Sequence, residues 1–163
     1  MNEETKKHPI SPMLSNITQQ QVTILDQENT DGDGWDFYCN GQVTNAIVFE
    51  DEISAIVREV VYDYKVKIKV NEYEVSCSCS CDSDKVVCNH VVAVLYSWVY
   101  DQAEFTNVGD YINQLNKMDK KTLIDVMQRL LTDDPQNVKY FERHGDEIDE
   151  EFSNIEFDSL GFE

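Results

Sequence analysis

Residues 77–90 read CSCSCDSDKVVCNH and hold four of the chain's five cysteines and one of its three histidines. Thiolate and imidazole suit zinc, which has no redox chemistry and collects its ligands in a tetrahedron. Cys79 and Cys81, one residue apart, reach a common ion if the backbone curls between them, and Cys88 and His90 bring a second pair after the loop DSDKVV. Iron–sulfur centres use four cysteines at other spacings. A Cys79–Cys81 disulfide would be strained, and a Cys81–Cys88 disulfide belongs to an oxidising compartment. A complete set of protein ligands leaves no open position for water, so the expected ion is one structural Zn2+ rather than a catalytic one.

Which four side chains bind is less constrained. Cys77, Cys79 and Cys81 alternate and share a face if they lie on a strand, so Cys77 is a substitute for Cys79 or Cys81. The compact loop between Cys81 and Cys88 favours Cys79, Cys81, Cys88 and His90, with Cys77 spare. A cysteine-nucleophile reading lacks an acid to orient His90, and thiolates tied to a metal are not free to attack. His8 and His144 are expected on the surface and Cys39 buried near a strand. Asp31 and Asp33 resemble the start of a calcium loop, but the later glycine and glutamate are not in place.

These ligands need elements to hold them. YDYKVKIKV alternates strictly, Val66, Ile68 and Val70 against Lys65, Lys67 and Lys69, as a half-buried strand does. From Trp35 to Ser76 the chain reads as an antiparallel meander of three or four strands, with Asn40-Gly41 as a turn and the strictly alternating strand as its clearest member. After Cys88 the period changes: Val91, Val94, Leu95, Trp98 and Val99 predict an amphipathic helix. Tyr111, Ile112 and Leu115 mark another, Asp119 caps a third bearing Leu123, Met127, Leu130 and Leu131, and Asp134 with Pro135 opens a fourth. Those stripes are expected to form core. The fold class is therefore α+β: a β-meander leading into a zinc-clamped strand–helix junction, then a small helical part and an acidic tail. The expected divisions are a polar arm over 1–34, containing a short helix with Ile17, Val22 and Leu25 partly buried, the zinc-binding domain over 35–105, a helical extension over 106–145 and a flexible acidic tail over 146–163.

The formal net charge is −19 over 163 residues. Neutralising phosphates needs a basic surface, so this balance argues against non-specific nucleic-acid binding and against anionic membranes, and suits a basic protein partner. No stretch approaches the ~20 apolar residues of a membrane span, no signal peptide is evident, and clustered cysteines fit a reducing, cytoplasmic setting. The Lys65, Lys67, Lys69 stripe is the one basic feature; it reads as a solvated edge that blocks aggregation or as a weak phosphate or partner contact. No phosphate-binding glycine loop or nucleophile elbow is present, so no enzyme is expected.

The spacing Cys-x-Cys-x6-Cys-x-His, with YDYKVKIKV before it and VVAVLYSW after it, resembles the SWIM zinc finger, a resemblance that extends over roughly residues 35–140. It implies the ligands Cys79, Cys81, Cys88 and His90, and a non-catalytic module associated with SWI/SNF-type helicases and other nucleic-acid enzymes. Two departures stand out: Asn89 occupies a position that is often basic in such modules, and the loop carries Asp82 and Asp84 where Pro and Gly are usual. Both lower the local positive potential. The leading expectation is thus an adaptor that docks on a helicase or similar protein and touches nucleic acid only weakly or indirectly. The alternatives are an acidic DNA-mimic inhibitor of a host DNA-binding protein such as RNA polymerase, and a direct DNA-binding zinc finger.

Overall fold

A computed structural model of the chain describes residues 7–142 and 152–156, which divide into two units, Lys7–Gly109 with 152–156 and 110–142. The first unit opens with α1 (Pro12–Ser15), α2 (Gln19–Thr30) and α3 (Asp33–Cys39). Four strands follow, β1 (Val43–Phe49), β2 (Glu52–Arg58), β3 (Asp63–Val70) and β4 (Val75–Cys79), then α4 (Asn89–Tyr100), the short β5 (Thr106–Asn107), and β6 (Ser153–Ile155) from near the end of the chain. Across the sheet the order is β5-β1-β2-β3-β4-β6. The α+β meander expected from sequence is present, extended by a two-residue and a three-residue strand at its edges.

Register explains which face is wet. On the inner face Ile53 opposes Ile68, Ala55 opposes Val66 and Cys79 opposes Val66 from the other side. On the outer face Lys65, Lys67 and Lys69 oppose Ile56, Ser54 and Glu52. The alternating KVKIKV pattern therefore buries Val66, Ile68 and Val70. β3 is hydrogen-bonded on both sides, so its lysines lie on an open sheet face in the middle of the sheet, not on an edge.

α4 packs on the inner face and is the centre of the core. Residues His90 to Trp98 are all buried, so the helix is enclosed on every side rather than on one stripe as the periodicity suggested. Its β-branched valines are mediocre helix formers, and burial at about 1.5–3 kcal/mol per large apolar side chain outweighs that propensity. One side of α4 is covered by the sheet and the other by α2 and α3. This is where the sequence reading of an N-terminal arm fails: Leu14, Ile17, Val22 and Leu25 are core residues. The Trp98 indole N–H donates to the Leu14 carbonyl at 2.8 Å and ties the segment down. A capping box starts α2, with Thr18 and Gln21 exchanging side-chain and backbone bonds. That box was readable; its amphipathic signal was weak because polar Gln21 and Asp26 are buried too.

Trp35 to Cys39 form α3 rather than the start of the meander. Asn40-Gly41 ends this helix: Gly41, at φ 68°, gives its N–H to the Tyr38 carbonyl, and Gln42 gives its N–H to Phe37, the bonding of a Schellman stop. The signal was a true chain reversal, but it separates helix from strand. Gly34 sits where α3 meets α4, with no room for a Cβ against the Val92 side chain.

The second unit holds most of α5 (Val108–Lys117), all of α6 (Lys120–Asp133), a 3-10 turn over Pro135–Val138 and α7 (Lys139–Glu142). Asp119 caps α6, accepting the Thr122 N–H at 2.7 Å, as its sequence position implies. Asp134 and Pro135 open the 3-10 turn. The stripes of this unit do not form a buried core: no residue of α6 is buried. Of the acidic segment 146–163, residues 153–155 form β6, pairing antiparallel with Val75–Cys77, and Ile155 is buried; 146–151 and 157–163, like His144, lie outside the described residues.

Candidate metal centre

Three pieces of backbone deliver the four side chains. β4 ends at Cys79, the loop after it carries Cys81, and α4 begins with Cys88 as its N-cap and His90 in its first turn. Val87 and Cys88 are buried while Val86 is exposed, so the far end of the loop is anchored into the core. The candidate ligand atoms of Cys79, Cys81, Cys88 and His90 all lie within 4.8 Å of one another. His90 Nδ1 is 3.7 Å from Cys79 Sγ and 3.8 Å from Cys88 Sγ. A tetrahedron with Zn–S of about 2.3 Å and Zn–N of about 2.0 Å has S···N edges of about 3.5 Å and S···S edges of about 3.8 Å. The donor set and its spacing therefore fit zinc.

Cys77 is not in this group. It is 2 % exposed on the inner face of β4, and its thiol donates to the Val86 carbonyl at 3.3 Å. Burial pushes that thiol up to about 12. Its place one step earlier on the strand makes it a packing residue that holds the loop. The alternation left three cysteines on one face; the loop's path selects among them.

The histidine is oriented by a residue the sequence reading missed. Glu59, the first residue of the β2–β3 connection, has Oε1 2.7 Å from His90 Nε2. An Nε2–H donated to this carboxylate leaves the Nδ1 lone pair facing the thiols, the arrangement by which carboxylates fix metal-binding histidines. Tyr64 stacks on the imidazole with centroids 4.5 Å apart, and Phe37 meets it edge-on at 5.3 Å. Glu59 lies 31 residues from His90. No local pattern links them, and only the β2–β3 hairpin brings the carboxylate back.

The site's electrostatics favour a cation. Cys88 is held well below the usual thiol range, first by the hydrogen bond from Cys79 and then by His90 and the Val91 backbone, while burial opposes the shift. The same Cys79–Cys88 bond, with burial, raises Cys79. Desolvation is the largest influence on His90 and works downward, but bonds to Cys88, Glu59 and Cys81 outweigh it and raise His90 to about 9. Cys79, Cys81 and Cys88 would hold a divalent ion as thiolates, the ion taking the place of the proton this cluster shares.

The remaining sequence candidates lie elsewhere. Lys65, Lys67 and Lys69 project from the sheet face opposite Cys79, so the stripe and the metal cluster do not form one surface. Cys39 is exposed at the end of α3, not buried beside a strand. The His8 side chain is 7 % exposed, pairs with Glu50 at 2.8 Å and packs on Phe49, so it is not a surface histidine. No helix among the described residues is long and apolar enough to cross a membrane.

Residues 64–98 match the family model of the SWIM zinc finger, a span from β3 through both ligand pairs to nearly the end of α4. No curated protein and no solved structure matches the chain.

Proposed function

With a SWIM-type zinc finger over residues 64–98, we propose that the chain is a non-catalytic, zinc-dependent interaction module that docks on a helicase or another nucleic-acid-processing protein in the cytoplasm. The observation that carries this is the donor set: the ligand atoms of Cys79, Cys81, Cys88 and His90 lie within 4.8 Å of one another, four donors for one tetrahedral ion. Such a set leaves no coordination position for a substrate or a water, so one zinc ion acts as a clamp between β4, the loop and α4. The net charge of −19 directs the module toward a basic protein surface rather than bare nucleic acid. The test is purification from the native host, identification of the partner, and reassembly from pure components. Zinc-loaded protein forms the complex and a His90→Ala variant does not; recovery of bulk DNA at low salt and no protein would refute the reading.

The same charge supports a second reading, an acidic inhibitor that occupies the DNA channel of a host protein such as RNA polymerase. Displacement of DNA from a purified polymerase by the chain separates it from the adaptor. Direct DNA binding through Lys65, Lys67 and Lys69 is the third; those lysines face away from the finger's ligands, and a salt titration that shows no affinity even at low ionic strength removes it.

A further inference from the structure

Between α2, α3 and α4 lies a groove of about 340 Å³, apart from the metal centre. Its walls are aromatic on one side, Trp35, Tyr96 and Tyr100, and polar on the other, where Gln19, Thr23 and Gln27 line one face of α2. Trp35 is 40 % exposed and meets Tyr96 and Tyr100 nearly edge-on, at 5.0 and 5.6 Å between centroids. Tyr96 and Tyr100 are themselves parallel within 29°. The rings are held in place: the Tyr96 hydroxyl donates to Asp26 Oδ2 at 3.0 Å and the Tyr38 hydroxyl beside them donates to Asp101 at 2.7 Å. An exposed tryptophan in a rigid aromatic corner is the kind of residue that anchors a partner.

The groove's lining holds one charged residue, a carboxylate. Asp26 lines it and is 2 % exposed. Its carboxylate accepts from the Gly34 and Trp35 N–H groups and from the hydroxyls of Thr30 and Tyr96, none of them cationic. Residues 26–36 contain Asp26, Glu28, Asp31, Asp33 and Asp36, and the chain has no lysine or arginine between Lys7 and Arg58, nor within α4. The three helices that build the groove thus carry no lysine or arginine, although Lys85 Nζ reaches the Asn29 carbonyl of α2 at 2.7 Å. Aromatic faces attract a cation through the ring quadrupole, and the flat, weakly hydrated guanidinium stacks on them better than an ammonium does. The side-chain amides of Gln19 and Gln27 add acceptors for its N–H groups.

We propose that this groove is a docking site for an arginine side chain of a basic protein partner. The inference rests on the interaction-module reading for its biological setting and adds the chemistry by which the partner is recognised.

The zinc-loaded full chain is titrated by calorimetry with a flexible peptide of arginines spaced by glycine and serine, and with the same peptide carrying citrulline at each arginine. Tryptophan emission is followed in parallel; of the chain's two tryptophans Trp98 is buried, so a change reports on Trp35. The arginine peptide binds and shifts the emission, the citrulline peptide does not, and Trp35→Ala weakens binding about tenfold. Gln27→Lys, on the exposed side of α2 and harmless to the core, gives a similar loss. Glu72→Lys, in the β3–β4 turn away from the groove, makes a larger charge change and leaves binding unaltered. Equal binding of the citrulline peptide, wild-type affinity in Gln27→Lys, or an equal loss in Glu72→Lys would overturn the proposal. The last outcome would mean diffuse attraction to an acidic chain. None of these outcomes bears on capture of the helicase-type partner, so the two readings fail separately.

Discussion

Removing the Glu59 carboxylate tests the metal centre at a point no family pattern reaches. Glu59 touches no ligand sulfur; it acts only through the 2.7 Å bond to His90 Nε2. Outer-shell partners of this kind change metal affinity by about 10- to 100-fold, or about 1.4 to 2.7 kcal/mol. The Glu59 side chain is 37 % exposed, so water screens part of the interaction and the lower end applies. Glu59→Ala is expected to weaken zinc binding about tenfold. Glu59→Gln keeps an acceptor but not the charge, and a neutral bond is worth roughly half a charge-assisted one, so its loss is about threefold. Affinity is read by competition with a chromophoric chelator. Cobalt substitution provides the control: the three-sulfur, one-nitrogen spectrum persists in both variants, because no ligand has been removed. Affinities within twofold of the parent for Glu59→Ala, or a changed ligand-field spectrum, would refute the assignment of Glu59 as the residue that orients His90.

Four further outcomes follow from the packing. Chelation of zinc, or His90→Ala, is expected to release hydrogen-exchange protection first in the loop and the first turn of α4, with β1–β3 less affected; structural zinc contributes on the order of 10 kcal/mol of apparent binding energy in small domains, so uniform protection after chelation would contradict a clamp. Cys77→Ser retains one zinc per chain by elemental analysis, whereas Cys79→Ser does not. Gly34→Ala forces a methyl into the Val92 side chain and Asp26 at the α3–α4 crossing, and is expected to cost about 1–3 kcal/mol in chemical denaturation. Tyr38, through its bond to Asp101 and then burial, and Tyr96, through burial and then its bond to Asp26, are both raised from 10.0 to about 12. The unfolded chain therefore ionises these phenols first, so their contribution is intact below about pH 10 and is lost as pH climbs toward 12; an ultraviolet titration in which every tyrosine ionises near 10 would refute it.

Some of this was legible before any fold was known. The Cys/His spacing specifies zinc because so few side chains bind it and their separations are set by the backbone's reach. The KVKIKV alternation specifies a strand because side chains change faces at every residue, and Asp119 declares a helix start because its side chain satisfies a backbone N–H within three residues. All of these are local. The readings that failed were those in which local pattern met a non-local partner. Residues 7–34 look like a polar arm because Gln21 and Asp26 interrupt the apolar period, yet Asp26 is buried by donors from α3 and α4. α4 looks one-sided, yet helices cover the face that the sheet leaves open.

The sequence by itself determined the kind of centre this chain builds: the ion, the number of thiolates, and the strand and helix that carry them. Only the tertiary structure decided that Cys77 turns to Val86 instead of the metal, that Glu59 returns across 31 residues to hold His90, and that Trp35 closes an aromatic groove with Tyr96 and Tyr100. The reason is the range of the forces involved. Ligand type and strand alternation depend on neighbours along the chain, whereas which polar group a side chain meets depends on how the burial of α4 draws sheet and helices together.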